Sequence, residues 1–309
     1  MRLFIISLLL PFGLAAQEKF TISGYVKDAA DGEALIGATI YIKSLTTGTT
    51  TNVYGFYSIT LPAGNYAVDF TYVGYASQAQ TLVLTQNIRL DIELVAEGKQ
   101  LEEVVVTSEK EEQGVKALEM STNKLDIKTI IRIPAFLGEA DVIKSLQQLP
   151  GVTTVGEGAS GFNVRGGNVG QNLILLDEAT VYNSSHLLGF FSVFNPDAVK
   201  DTKLYKGAIP AQFGGRISSL LDVRMKEGNN KNYEVNGGVG TIFSRAAVEG
   251  PLFKGDGSFI VAGRRSYADI LARPFVDVLG DGGALNFYDL TGKANYNINS
   301  RNRIFLSGY

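Results

Sequence analysis

The sequence has no cysteine and only one histidine, His186, among its 309 residues. The absence of cysteine excludes disulfides, thiolate metal sites, a cysteine nucleophile and a lipidated N-terminal cysteine. A single histidine excludes most catalytic triads and imidazole-rich metal sites. We therefore expect a protein that is not an enzyme, with no catalytic residue, metal or cofactor. We expect His186 to be a loop or pocket-wall side chain.

The sequence also lacks a large excess of charge of either sign, since it has 28 basic and 31 acidic residues and a formal net charge of −3. Such a chain offers no basic field for phosphates, so nucleic acid is not an expected partner. Beyond the N-terminus no segment approaches the roughly 20 consecutive apolar residues of a transmembrane helix. Any insertion into a membrane would therefore have to use strands.

Residues 1–16 have the pattern of an export signal. Arg2 supplies the positive charge, and Leu3 to Leu10 form the apolar centre. Leu14-Ala15-Ala16 follows as the small-residue cleavage site. A membrane anchor is the alternative, but the apolar stretch is too short to cross about 30 Å of hydrocarbon. We therefore predict an exported protein.

Residues 17–96 have the pattern of a small all-β unit. Apolar residues occupy every even position from Asn87 to Leu94, and the same period recurs from Tyr66 to Tyr72. This alternation describes strands with one buried and one solvated face. Turn pairs such as Asp31-Gly32 and Val73-Gly74 separate the strands. We predict about seven strands in a compact β-sandwich.

Residues 97–116 are rich in Glu, Lys and Gln, and this dense charge predicts a flexible linker. One apolar island interrupts it, formed by Glu103, Val104, Val105, Val106 and Thr107. Three consecutive valines strongly favour an extended backbone. From these residues alone, the island is either an extended part of the linker or the last strand of the preceding sandwich.

Residues 117–227 mix helix and strand. From Glu139 to Leu149 the apolar residues share one helical face, and Pro150-Gly151 ends the predicted helix. A helical turn is predicted at Pro196 to Val199. Short strands are predicted at Phe162 to Arg165, Leu173 to Leu176 and Thr202 to Tyr205, and the segment ends with Gly214-Gly215-Arg216 followed by Ser219 to Arg224.

Residues 228–309 contain a strictly alternating stretch from Asp289 to Asn299, with apolar or small residues on one face and polar residues on the other. A further strand is predicted from Ile304 to Tyr309, and Tyr233 to Val248 and Ser258 to Tyr267 are looser versions. A transmembrane β-barrel requires this pattern. A soluble sheet whose apolar face meets a core produces the same pattern, so the two alternatives stay open here.

Four stretches of the N-terminal unit resemble the carboxypeptidase-regulatory-like (transthyretin-like) domain. They are Ile22 to Asp28, Gly37 to Ile42, Asn52 to Ile59 and Leu61 to Tyr66. In that family the domain is an accessory module without catalysis.

A more specific resemblance lies between residues 146 and 216, where an ordered set of motifs is similar to the plug of TonB-dependent receptors. The set is Leu146 to Val152, Phe162 to Gly167, Leu173 to Asp177, Val199 to Asp201, Lys206-Gly207 and Ala211 to Arg216. The order of signal, sandwich, charged linker, mixed domain and barrel-like strands also resembles these receptors.

This resemblance implies a mainly β chain in five parts. They are a signal peptide (1–16), a carboxypeptidase-regulatory-like β-sandwich (17–96), a linker (97–116), an α+β plug (117–227) and the first strands of an incomplete transmembrane β-barrel (228–309). Plugged transporters have about 22 strands, each needing about 9–11 residues plus turns. Residues 228–309 would supply roughly four of them, so we expect the chain to stop before a barrel closes.

The resemblance also implies energy-coupled uptake across the outer membrane of a Gram-negative cell, with the N-terminal and plug domains facing the periplasm. The expected ligand is a ferric siderophore, cobalamin or an oligosaccharide. The other expected partners are the TonB periplasmic domain, outer-membrane lipid and a surface lipoprotein. The island from Glu103 to Thr107 stands where the family has its TonB box, an extended segment suited to adding a strand to a partner's sheet edge.

Within the plug, the resemblance points to one set of motif residues: Asn163, Arg165, Gly166, Gly167, Gly214, Gly215 and Arg216. The paired glycines allow close backbone approach. In the family, plug arginines contact carboxylates on the barrel wall. The alternative for Arg165 and Arg216 is a solvated loop charge.

Other classes stay open. A SusC-type glycan importer is disfavoured, because Leu175 to Thr180 stands where that group has an Ile-Asp-Gly-Val-Pro-like string. An exported β-rich binding or adhesion protein without a transport role is the main alternative to a transporter. A secreted carboxypeptidase-associated enzyme is a third class, which the lone histidine and the lack of a metal-ligand cluster argue against.

Overall fold

The computed structural model describes residues 18–97, 122–133, 140–156, 161–186, 189–240, 242–267, 286–299 and 302–309. The predicted export signal and the segment from Glu103 to Thr107 lie outside these ranges. The chain divides into two compact units, residues 1–99 and residues 100–309. Within the described ranges, no helix is both long and apolar enough to cross a membrane.

The described part of the N-terminal unit is an eight-stranded β-sandwich. Its strands are β1 Lys19–Asp28, β2 Thr39–Ile42, β3 Thr47–Thr50, β4 Phe56–Pro62, β5 Gly64–Thr71, β6 Gln78–Leu84, β7 Ile88–Arg89 and β8 Ile92–Leu94. One sheet has the order β4-β1-β7, with β8 also paired to β1, and the other has the order β3-β2-β5-β6.

Alternating apolar residues from both sheets form the core of the sandwich. Ile22 and Val26 of β1, Ile40 of β2, and Val68 and Phe70 of β5 are fully buried. Because successive side chains of a strand point to opposite faces, the period-two pattern turns one face of each sheet inward. The prediction of a β-sandwich is confirmed.

The last strand predicted for the sandwich is divided into β7 and β8 by a break at Leu90 and Asp91. At the break, Asp91 Oδ1 accepts the backbone N–H of Tyr25 at 2.9 Å, and the Leu90 carbonyl accepts the Tyr57 hydroxyl at 2.8 Å. These side-chain bonds replace a continuous ladder. A Cβ at Gly24 would lie 1.9 Å from the Leu90 carbonyl oxygen, so only glycine fits there.

The described part of the second unit contains fourteen strands and two short α-helices. They are β9 Thr122–Asp126, α1 Ile127–Arg132, α2 Val142–Leu146, β10 Val152–Thr154, β11 Phe162–Val164, β12 Asn172–Leu176, β13 Ala179–Thr180, β14 Ser185–His186, β15 Phe191–Ser192, β16 Val199–Tyr205, β17 Ser219–Met225, β18 Glu234–Val239, β19 Phe243–Leu252, β20 Gly257–Ser266, β21 Tyr288–Asn297 and β22 Arg303–Gly308.

Five of these strands form a central mixed sheet with the order β13-β12-β17-β16-β9, in which β12 and β17 are parallel. One face packs Leu221 and Val223 of β17 in a buried cluster with Ile130 of α1 and Ile143 of α2. On the other face, Leu175 belongs to a second cluster. The continuous apolar run of β12 is therefore explained by burial on both faces.

The helix predicted from Glu139 to Leu149 is shorter than expected, because α2 covers only Val142–Leu146. Asp141 is its N-cap and accepts the N–H groups of Ile143 and Lys144 at 2.8 and 3.1 Å. A capping residue has an extended backbone, so the helix cannot begin before position 142.

The last five strands form an antiparallel meander, β18-β19-β20-β21-β22, which we call the C-terminal sheet. The stretch from Tyr233 to Val248, predicted as one loose strand, belongs to two strands, β18 and β19. The chain reverses between them, and the Gly240 N–H donates to the Phe243 carbonyl at 2.7 Å. Gly237, Gly238 and Gly240 precede the reversal and interrupt the alternation, so the sequence pattern did not show where the chain turns.

Candidate functional site

The C-terminal sheet has its apolar side chains outside and many polar ones inside. On β21, Tyr288 and Leu290 are 81% and 67% exposed, whereas Asp289 and Asn295 are 5% and 3% exposed. On β22, Leu306 is 75% exposed. Within the described residues, this outward apolar face does not pack against a core.

The inward face packs on the mixed domain between residues 122 and 227, which we call the plug unit. Ala247 of β19 and Ala262 of β20 join the same buried cluster as Ile143 and Leu221 of the plug unit. Small residues at these positions allow the sheet to approach closely. The contact between the C-terminal sheet and the plug unit therefore includes buried apolar side chains as well as polar ones.

A buried ion pair lies at one end of this contact. The Arg264 guanidinium of β20 contacts two elements. Its Nε donates to Asp289 Oδ2 of the neighbouring strand β21 at 2.8 Å, and its Nη2 donates to the Ser192 carbonyl of the plug unit at 2.8 Å. Asp289 in turn contacts His186 Nε2 through Oδ1 at 2.5 Å. Both charges are buried, so the pair depends on these hydrogen bonds.

A second buried ion pair joins Lys293 of β21 to Asp177, with Nζ and Oδ2 2.9 Å apart. Asp177 Oδ1 also accepts the Met225 backbone N–H at 3.0 Å. Asp177 and Glu178 form the two-residue turn between β12 and β13 and have φ angles of +45° and +73°. Two consecutive non-glycine residues with left-handed backbone angles are strained. This strained turn lies next to the ion pair between the plug unit and the C-terminal sheet.

A third polar cluster holds the segment that leads from the plug unit to the C-terminal sheet. The Glu227 carboxylate pairs with Arg303 at 2.8 Å, and its carbonyl accepts the Ser258 hydroxyl at 2.7 Å and the Asn295 amide at 3.1 Å. At Gly228, φ is +86° and a Cβ would lie 2.2 Å from a β20 carbonyl oxygen. Both facts require glycine.

The hairpin β14–β15 is the part of the plug unit nearest to the Arg264 pair. Its Phe191 ring packs edge-on against Phe243, at 4.6 Å between centroids, and Phe287 belongs to the same cluster. The His186 ring stacks on Phe287 at 4.5 Å with 14° between the planes. His186 is thus a contact residue between the plug unit and the sheet.

The first glycine-rich motif of the plug packs against Ser218, which lies two residues beyond the second motif. Ser218 Oγ donates to the Val164 carbonyl at 3.0 Å, and a Cβ at Gly167 would lie 2.2 Å from that hydroxyl oxygen. Arg165 and Gly166 have φ angles of +48° and +82°. Gly167 therefore serves close packing, whereas Gly166 serves the turn.

The remaining motif residues differ in their surroundings. Gly215 has φ of +84°, and nothing lies within 4 Å of a Cβ placed on it or on Gly214. Arg216 is exposed and makes no hydrogen bond or ion pair with any described residue. The Asn163 side-chain oxygen is buried and has no hydrogen-bond partner in the described part of the chain.

Arg165 lies close to a second cation, Lys206. The Lys206 ammonium donates to the Pro150 carbonyl at 2.9 Å. Burial and the neighbouring Arg165 charge both lower the pKa of Lys206. Two cations held together in this way favour an anionic partner.

On the same central sheet, Asp222 of β17 pairs with Arg224 at 3.0 Å, and Arg224 reaches Glu178 at 3.2 Å. Burial raises the pKa of Asp222 despite the Arg224 charge. Burial alone would lower the pKa of Arg224, but the neighbouring carboxylates of Asp222 and Glu178 outweigh burial and raise that pKa. The strained turn is therefore tied to the sheet through Glu178.

Sequence reasoning assigned no role to Arg264, Lys293, Glu227 or Asp177. The alternation of polar and apolar residues in β21 predicts that Asp289 and Lys293 lie on the same face of the strand. Nothing in the sequence indicates that this face is the buried one, nor which plug residues meet it.

Two family models match the chain: a CarboxypepD_reg-like domain over residues 22–106 and a TonB-dependent receptor plug domain over residues 128–219. The first match extends into the Glu103 to Thr107 segment and ends at Val106.

Curated relatives include a TonB-dependent receptor of Formosa agariphila, 31% identical over 60% of this chain and 18% of its own length. They also include the TonB-dependent receptor SusC of Bacteroides thetaiotaomicron, 26% identical over 78% of this chain and 24% of its own length. The chain thus spans about a fifth of the length of these relatives.

Among solved structures, the siderophore receptor PirA from Acinetobacter baumannii is similar to 66% of this chain and 32% of its own, with 18% identity and a TM-score of 0.45. Residues 22–106 thus match a CarboxypepD_reg-like domain, residues 128–219 match a TonB-dependent receptor plug domain, and the curated relatives that the chain resembles are named TonB-dependent receptors.

Proposed function

We propose that the protein containing this chain takes up a small ligand across the outer membrane by TonB-coupled transport. The observation that carries the proposal is the inverted C-terminal sheet, which is apolar outside and polar where it meets the plug unit. Proteins of the TonB-dependent receptor family are outer-membrane proteins. A lipid-facing strand needs an apolar outer face, whereas a plug-facing surface tolerates charges that are paired.

In this proposal the C-terminal sheet is part of a barrel wall whose outer face contacts lipid. Leu290 and Leu306 would face hydrocarbon, and the ion pair of Lys293 with Asp177 would face the plug. The plug unit would occlude the pore, and the N-terminal sandwich would lie in the periplasm.

Arg165 and Arg216 are proposed to meet carboxylates of the barrel wall. The support is the closeness of two cations, since the Arg165 charge, together with burial, lowers the pKa of Lys206. Arg216 is exposed and makes no ion pair within the described ranges. A wall carboxylate would neutralise this charge with bidentate hydrogen bonds, which the arginine fork favours.

The segment from Glu103 to Thr107 is proposed as the TonB box. Its three valines favour an extended strand, and a strand can add to the sheet edge of TonB through main-chain hydrogen bonds. The expected test is Val105→Pro in the complete receptor, which removes a backbone donor and fixes φ. Uptake should be abolished while ligand binding is unchanged.

The matched control is Val105→Thr, which keeps a β-branched side chain and the backbone N–H. Uptake by this variant should stay near the wild-type level. Normal uptake by Val105→Pro would exclude the box assignment. Loss of ligand binding in Val105→Pro would instead show a folding defect, which circular dichroism of the purified receptor would reveal.

The ligand is proposed to be a ferric siderophore, cobalamin or a glycan. Growth of a deletion strain on each of these as the sole source of iron, cobalamin or carbon would identify it. Growth defects on none of them, together with impaired attachment to surfaces, would favour the alternative of an outer-membrane adhesion protein.

A further inference from the structure

The outward face of the C-terminal sheet carries a single charge. Within the described part of this sheet, every other outward position of β18 to β22 holds an apolar or aromatic side chain, glycine or serine. The exception is Arg265, an exposed residue next to the end of β20. The preceding residue, Arg264, points inward and pairs with Asp289, so two consecutive arginines of one strand have opposite surroundings.

The neighbours of Arg265 on this face are uncharged. Its cross-strand partner on β19 is Ser244, and its partner on β21 is Tyr288, which is 81% exposed. Arg265 makes no hydrogen bond or ion pair with any residue that the structure describes. A guanidinium that leaves bulk water needs an anion within hydrogen-bonding distance, and the described outward positions supply none.

Arg265 lies at one end of the apolar face and not at its centre. It pairs with Tyr288, the first residue of β21, whose 10 residues span roughly 31 Å. With the tilt of about 35–45° that barrel strands have, this length corresponds to a height of roughly 22–25 Å, close to the apolar band of a transmembrane barrel. The opposite end carries the aromatic pair of Phe253 and Tyr296, with 4.9 Å between ring centroids. Because aromatic side chains collect at membrane–water interfaces, both ends correspond to the level of the lipid headgroups.

We propose that Arg265 binds the phosphate group of a membrane lipid at this end of the C-terminal sheet, with the Tyr288 ring beside it. This inference rests on the proposed function, in which the outward face contacts lipid. The planar guanidinium matches a phosphate with two parallel hydrogen bonds. An outward arginine is far less costly at this level than at the bilayer midplane, since its stem lies along apolar surface while its charge reaches the headgroups.

The surroundings of Arg265 favour a lipid over a soluble anion. On the same face, Val239 pairs with Ser244 and is 87% exposed, and Leu290 lies one outward position below Tyr288 and is 67% exposed. A free phosphate would pair with the guanidinium but would leave these apolar side chains uncovered. A phospholipid supplies both chemistries in one molecule, because its phosphate lies directly above its acyl chains.

Photo-crosslinking of the complete receptor in lipid vesicles tests this contact. The vesicles contain equal amounts of phosphatidylglycerol and of digalactosyl diacylglycerol, which has no phosphate. The photoreactive residue p-benzoylphenylalanine replaces Ser244, the outward neighbour of Arg265. Phosphatidylglycerol adducts should exceed galactolipid adducts about fivefold, the ratio that corresponds to about 1 kcal/mol for one cation at an anionic headgroup.

Two substitutions separate the guanidinium from a general effect of charge. Arg265→Gln removes the cation and should bring the adduct ratio at position 244 close to one. Lys19→Gln removes the same charge from an exposed position of the sandwich and should leave the excess unchanged. The photoreactive residue placed instead at Tyr296, at the opposite end of the outward face, is the reference, and its adduct ratio should not respond to Arg265→Gln.

A fivefold excess that persists in Arg265→Gln would overturn the proposal. Loss of the excess on addition of inorganic phosphate would also overturn it, because the guanidinium would then bind a soluble anion. Lipid adducts at both positions without a preference for phosphatidylglycerol at position 244 would count against the role of Arg265 alone. A receptor that forms no lipid adducts at either position would count against a lipid-facing sheet, and so against the proposed function itself.

Discussion

The N-terminal sandwich and the C-terminal sheet are built from the same period-two pattern with opposite faces inside. In the sandwich, Val68 and Phe70 of β5 are fully buried, and the residues between them point outward. In β21 the buried residues include Asp289 and Thr291, and Leu290 between them is exposed. An alternating pattern therefore identifies a two-faced strand but does not show which face is inside.

The difference between the two regions lies in what each sheet encloses. The sandwich closes on itself, so water is outside and apolar burial drives the fold. The C-terminal sheet lies against a plug unit that presents charged side chains such as Asp177 and Glu227. Its inner face is polar because the partners of those charges must be there.

The largest effect is expected from emptying the sandwich core. Phe70 is fully buried and packs edge-on against Tyr57 at 5.6 Å between ring centroids. Phe70→Ala should lower the free energy of unfolding of residues 17–96, expressed alone, by about 3–5 kcal/mol. Urea titration followed by circular dichroism measures this. Val73→Ala, at a side chain that is 85% exposed, should change the free energy by less than about 0.5 kcal/mol.

The corresponding change on the inner face of the C-terminal sheet is the loss of a charge. Lys293→Met in the complete receptor leaves Asp177 buried without its cation and should lower the free energy of unfolding by about 3 kcal/mol. Asp177→Leu combined with Lys293→Met should recover much of that loss, because no unpaired charge is left. A double variant that is less stable than Lys293→Met alone would show that the pair is not the source of the effect.

The outer face provides the test that most directly separates the two regions. Leu290→Arg places a charge on the face proposed to contact lipid, and it should lower the stability of the receptor in lipid vesicles by about 2 kcal/mol. Ser58→Arg, on an exposed position of β4, should be nearly neutral. Equal effects of the two substitutions would mean that the outer face of the C-terminal sheet contacts water.

The smallest effect concerns alkaline pH and belongs to the sandwich. The Tyr75 hydroxyl donates to Asp28 at 2.6 Å, and burial together with Asp28 raises the pKa of Tyr75 above its ordinary value of 10.0. The contribution of this tyrosine to stability is full below about pH 10 and is lost as the pH rises towards its folded-state pKa. Tyr75→Phe should therefore make the stability of residues 17–96 less sensitive to pH above 10. An unchanged slope in denaturant titrations at rising pH would exclude this role.

The sequence was sufficient for most elements but not for their limits. The strand β12 was predicted because a short, continuous apolar run between turns is typical of a strand buried on both faces. The helix α2 is shorter than the segment with helical apolar periodicity, because the Asp141 side chain caps the helix and makes it begin at Val142. The break at Leu90 and Asp91 depends on partners in β1 and β4, more than thirty residues away along the chain.

The candidate site was less predictable than the fold. The motif residues from Asn163 to Arg216 came from resemblance, and their roles at the barrel wall stay predictions. The contact of His186 with Asp289 joins residues 103 positions apart, and no local pattern marks such a pair. His186 was expected to be a loop or pocket-wall side chain, whereas it lies in the short strand β14 and contacts Asp289.

The turn at Asp177 and Glu178 has a consequence for redesign of this plug. A two-residue hairpin turn with both φ angles positive is normally built from Asn-Gly or Asp-Gly. Glu178→Gly would remove about 1 kcal/mol of backbone strain, while it would forfeit a surface ion pair with Arg224 that is worth about 0–1 kcal/mol. Position 178 is therefore open to sequence change at little net cost. Position 177 is not, because its carboxylate pairs with Lys293 of the C-terminal sheet.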